Sequence, residues 1–92
     1  MWEVIKTQTF NKDLKRLGKG VKDLDKFIVG AEFALSHNPR IGKKTAIEYV
    51  QGLPMTEILD NPKIILYYFI TKDQVYLVGV KKEGDKKIDI IM

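Results

Sequence analysis

The chain has 92 residues and a mass of 10.6 kDa, enough for one domain with a single core. Hydrophobic residues make up 45% and charged residues 30%, which is globular rather than disordered composition. The absence of cysteine excludes disulfides, thiol nucleophiles and zinc–thiolate sites. The net charge is +4 and lies on one side: residues 1–44 carry ten basic and five acidic groups, residues 45–92 six and seven. Such a surface attracts phosphate polyanions or an acidic protein, although +4 is also within the range that keeps a small domain soluble.

In chain order, Trp2 to Thr7 is rich in β-branched and aromatic residues and reads as a strand. Thr9 or Asn11 can cap a helix whose apolar face is Phe10, Leu14 and Leu17, ended by Gly18 and Gly20 in left-handed conformation. A second helix starts at Val21 and carries the stripe Val21, Leu24, Ile28, Ala31 and Leu35, widened by Phe27 and Ala34. Ser36-His37-Asn38-Pro39 ends it. Residues 40–53 are ambiguous, with Ala46 to Val50 able to form a strand. Met55 to Leu59 is a short strand candidate, and Asp60-Asn61-Pro62 a turn. Lys63 to Thr71 and Val75 to Val80 are apolar on both faces, which predicts two central strands. Glu83-Gly84-Asp85 is a turn, and Lys86 to Met92 reads as a short closing strand. The order predicts a single α+β domain over residues 1–92, a helical hairpin packed on an antiparallel β-sheet meander.

Few chemistries are available. His37 and Ser36, the only histidine and serine, are adjacent on a helix and point about 100° apart, so they read as helix-end groups rather than a nucleophile–base pair. With one histidine and no cysteine, a metal site would rest on carboxylates such as Asp23 and Asp25, and no metal or cofactor is expected. Gly18-Lys19-Gly20 lacks the strand and wider pattern of a phosphate loop. Arg40, Lys43 and Lys44 cluster after the second helix, and Lys81, Lys82, Lys86 and Lys87 put four lysines into seven residues. These groups can hold phosphates, and a desolvated lysine beside other cations can serve as a base. Tyr67, Tyr68 and Tyr76 fall on the central strands and are expected in the core.

The succession of segments resembles the RelE/ParE superfamily of type II toxin–antitoxin toxins over nearly the whole chain. The cues are Trp2 to Gly20 (a strand entering a short basic helix), the ending Ser36 to Gly42 of the second helix, Val50 to Leu59 with its Gly52-Leu53 turn, and the strand pair and basic finish from Lys63 to Lys87. The resemblance implies helices on an antiparallel sheet, a cognate antitoxin that wraps the toxin, and one of two activities. One is ribosome-dependent mRNA cleavage; the other is non-enzymatic binding of a protein target such as DNA gyrase, and a catalytically inactive family member is the remaining alternative. For cleavage it implies catalytic groups at Lys81, Lys82, Lys86 and Lys87, with Arg40, Lys43, Lys44 and Lys63 on RNA. The chain departs from the nuclease pattern, carrying Thr56 and Ile58 where those members place lysines, Ile64 or Ile65 in place of an arginine, and Asp85 and Ile91 in place of an arginine and a tyrosine. The expected setting is the cytoplasm, since Met1 to Val4 lacks signal-peptide character and the longest apolar run, Ile64 to Ile70, is far short of the ~20 residues of a membrane helix.

Overall fold

A computed structural model describes residues 1–18, 24–47, 49–54 and 64–82. Strand β1 (Glu3–Lys6) leads into α1 (Gln8–Leu17) and then α2 (Leu24–His37). A 3-10 turn, Pro39–Ile41, precedes β2 (Lys43–Lys44), β3 (Gln51–Pro54), β4 (Ile64–Ile70) and β5 (Gln74–Lys82). The sheet order is β1-β5-β4-β3-β2, so β4 and β5 are interior, as their two apolar faces require. The sheet is mixed rather than purely antiparallel: β1 runs parallel to β5, Glu3 opposite Gln74 and Lys6 opposite Leu77. That correction follows from connectivity, because β1 returns to β5 only through the whole intervening chain, and either direction is then open to it.

Both helices cover one face. Phe10 of α1 and Leu24, Ile28, Ala31 and Leu35 of α2 pack on Ile64, Leu66 and Tyr68 of β4 and Val75, Leu77 and Val80 of β5. The shift from Leu77 to Val80 marks a β-bulge: Tyr67 pairs with Gly79 and Tyr68 with Leu77, leaving Val78 as the extra residue. The α2 stripe has the predicted three-and-four spacing within the described residues; Val21 lies outside them.

Helix ends differ in detail from the sequence expectation. The N-cap of α1 is Thr7, whose Oγ1 accepts the Phe10 N–H at 3.3 Å, while Thr9 and Asn11 lie inside the helix. Gly18 closes it in right-handed conformation with φ −58°, so its glycine freedom goes unused; Gly20 is outside the described residues. At the end of α2, the Ser36 hydroxyl donates to the Phe33 carbonyl at 2.7 Å and His37 Nδ1 lies 2.9 Å from it. Both residues therefore serve the helix end, as their adjacency implied.

Ala46, Ile47, Tyr49 and Val50 of the ambiguous segment lie in a loop, and the strand beyond it spans Gln51–Pro54. The strand candidates Met55 to Leu59 and Lys86 to Met92 lie outside the described residues, as do Lys63, Lys86 and Lys87. Among the described residues no helix is long and apolar enough to cross a membrane.

Candidate nucleic-acid interface

The face of the sheet away from the helices carries a second apolar cluster. Val50, Tyr67 and Val78 are buried there, packed by Ile47, Ile65, Phe69 and Tyr76. Against it opens a cleft of about 330 Å³, whose rim is Lys43, Lys44 and Thr45 and whose wall is Gly52, Ile65 and Tyr67. The wall is close at Gly52, where a Cβ would come within 3.1 Å of Ile65 Cγ2 and 3.4 Å of Thr45 Cγ2 and those side chains would have to give by a few tenths of an ångström.

The position of the rim is set from the core. Tyr68, fully buried on the helix side, donates its hydroxyl hydrogen to the Pro39 carbonyl at 2.6 Å and accepts the Gly42 N–H at 2.9 Å. These bonds fix the turn that delivers the chain into Lys43. Gly42 is required by close approach, since a Cβ there would overlap the Tyr68 hydroxyl oxygen. Burial pushes the Tyr68 phenol above its ordinary value of 10.0, an effect the Gly42 N–H partly offsets.

The basic residues singled out in the sequence fall into different settings. Lys43 and Lys44 are exposed on the edge strand β2 and have no ion-pair partner among the described residues. Arg40 is exposed on the 3-10 turn, its backbone N–H bonded to Asn38 Oδ1 at 3.3 Å, and it does not line the cleft. Lys82 is exposed at the end of β5, opposite Ile64. Lys81 stands opposite the cleft residue Ile65, yet it is only 5% exposed and its ammonium lies 3.4 Å from Asp13 Oδ1.

Asp13 is the residue that sequence reasoning missed. It sits in the apolar face of α1 between Phe10 and Leu17 and is buried there. Its Oδ1 also bonds Arg16, and its Oδ2 accepts the Val80 N–H at 3.3 Å. An acid within an apolar helical stripe was the available signal, because such a group stays only with partners. Among the described residues there is no cluster of three His, Asp or Glu side chains suited to a metal ion.

The architecture is a two-layer α+β fold, with two helices on one face of a five-stranded mixed sheet and a lysine-rimmed cleft on the other. Its chain path is similar to the solution structure of the conserved hypothetical protein HP0894 from Helicobacter pylori, at a TM-score of 0.60 and 18% identity, covering 91% of this chain and 97% of that one. No family model and no curated protein matches the sequence. The likeness is one of fold.

Proposed function

We propose that this chain is the toxin of a type II toxin–antitoxin pair and that it arrests growth by cleaving mRNA at the ribosome. The observation that supports this reading is the open sheet face, where the exposed lysines Lys43 and Lys44 rim a cleft walled by Ile65 and Tyr67. Ammonium groups beside an apolar, aromatic floor suit a single-stranded polyphosphate, whose charge the lysines neutralise and whose bases the floor accepts. The RelE-like fold agrees with it, and its partners are then a cognate antitoxin, the ribosome and mRNA in the cytoplasm. Cleavage of RNA by its own 2′-hydroxyl needs charge stabilised on the phosphoryl group; among the described residues Lys82 is the exposed lysine of the proposed catalytic set, with Lys43 and Lys44 on flanking phosphates. Lys86 and Lys87 remain part of the proposed set, and Lys63 and Arg40 extend it as RNA contacts. Lys81 enters it only if its bond to Asp13 opens.

A second reading is favoured by that bond: with Lys81 tied to Asp13, the chain acts without chemistry by binding a protein target such as DNA gyrase. Induced expression in a bacterial host separates the two. Growth arrest with cut transcripts is expected of the nuclease; arrest with intact transcripts and a DNA-damage response would establish the gyrase binder. Soluble, folded protein without any effect on growth would leave a small binding domain and overturn both.

A further inference from the structure

We propose that Tyr49 is a base-stacking platform for single-stranded RNA whose phosphates are held by Lys43 and Lys44, an assignment that rests on the RNA reading above. Tyr49 lies in the loop joining β2 to β3, the hairpin that carries both lysines at its base. The residue is 53% exposed, while its ring meets that of Phe69 edge-on, with centroids 5.9 Å apart and planes at 78°. Phe69 in turn stacks on Tyr76 at 5.0 Å and 12°, and the Tyr76 hydroxyl donates to Gln74 Oε1 at 2.9 Å. The three rings are therefore braced in series, with Tyr49 outermost.

The loop that presents this ring is held in place by Thr45, whose Oγ1 donates to the Val50 carbonyl at 2.8 Å and accepts the Ile47 N–H at 3.2 Å. Val50 N–H also donates to the Ile47 carbonyl at 3.0 Å, and its side chain is buried. A ring fixed in this way loses little freedom when a base stacks on it. The path from the lysines to the ring is continuous. Tyr67 walls the cleft, and Phe69 follows two residues along the same face of β4, roughly 7 Å away at the rise of a strand. An extended strand with phosphates on Lys43 and Lys44 thus finds an aromatic surface one step further on. A tyrosine that only shielded Phe69 could be replaced by any apolar side chain of similar size, which gives the test its contrast.

The full chain is titrated with a 12-nucleotide oligouridylate, read by fluorescence anisotropy over a range of salt. Tyr49→Leu keeps the cover over Phe69 and removes the aromatic face; it is expected to weaken binding about 5- to 150-fold without changing the salt slope. Tyr49→Phe should stay within about twofold of the parent chain, since the π-face is retained. An abasic oligonucleotide of the same length should bind parent and Tyr49→Leu equally. The double variant Lys43→Ala/Lys44→Ala should instead flatten the slope by about 1.4. Unchanged affinity in Tyr49→Leu, with the slope still flattened in the lysine variant, overturns the stacking role and leaves the RNA reading standing. No binding of the oligonucleotide by the parent chain overturns both.

Discussion

The carboxylate of Asp13 answers three groups at once: the buried Lys81 ammonium, the Arg16 guanidinium and the Val80 N–H. With side chains only 5% and 9% exposed, the lysine and the aspartate cannot trade each other for water, so removing one strands the other. Asp13→Asn should cost about 3–5 kcal/mol in urea denaturation. Adding Lys81→Met to it should recover most of that loss, because no buried charge is then left alone; failure to recover would place the cost elsewhere. Tyr68 tells the same story for a neutral group. Tyr68→Phe deprives Gly42 N–H and the Pro39 carbonyl of their partner and should cost about 1–3 kcal/mol. Since burial raises the Tyr68 pKa above 10.0, the folded state holds that proton more tightly than the unfolded chain. Its contribution is complete below pH 10.0 and fades as the pH climbs through the raised value, so alkaline titration of stability should be shallower in Tyr68→Phe. The tyrosine's burial was legible from the two-faced apolar run; its bond to a turn 29 residues earlier was not, because nothing local encodes it.

At the scale of elements, α1 works as an edge cover. β1 pairs with β5 from Gln74 to Leu77, and beyond that point no strand among the described residues lies beside this edge of β5. The side chains of α1 and its cap take over the exposed backbone groups. Thr7 Oγ1 donates to the Leu77 carbonyl at 2.7 Å, Thr9 Oγ1 to the Val78 carbonyl at 2.9 Å, and Asp13 receives the Val80 N–H. An uncovered edge invites pairing with another chain. Thr9→Val should therefore cost about 1 kcal/mol in denaturation and raise the tendency to associate in light scattering. Unchanged stability would show that the Val78 carbonyl finds water equally well. The bulge at Val78 belongs to the same device, since it re-aims the carbonyls that the threonines meet and brings Gly79 beneath Asp13. Periodicity revealed both helices and both central strands, because their patterns of 3.6 and 2 are set by burial. It was silent on the bulge, on the parallel return of β1 and on the two-residue strand β2, none of which has a hydrophobic period.

For the whole molecule, the two faces of the sheet divide the labour. One face is closed by helices and holds the main core; the other offers Lys43 and the aromatic row, with Lys44 beside it on the edge strand. The lysine clusters were legible in the sequence, but their fates were not, because burial of Lys81 depends on an acid 68 residues away. If RNA is the ligand, Lys82→Ala should flatten the salt slope by about 0.7, whereas a Lys81 that stays bonded to Asp13 should contribute nothing to it. Equal effects of the two lysines would mean that RNA draws Lys81 out of its ion pair. The parallel pairing of β1 with β5 has a further consequence, in time rather than space. Gln74 is made 71 residues after Glu3, its neighbour in the finished sheet. At roughly 5–20 residues per second of synthesis, β1 and the apolar face of α1 wait about 4–14 seconds for the strand that completes them. Throughout that interval Phe10 and Leu14 have no β5 to pack on, and the carbonyls that Thr7 and Thr9 will bond have not been made. A nascent chain halted before Gln74 therefore cannot close its sheet, and whatever activity the cleft confers begins only after β5 has left the ribosome.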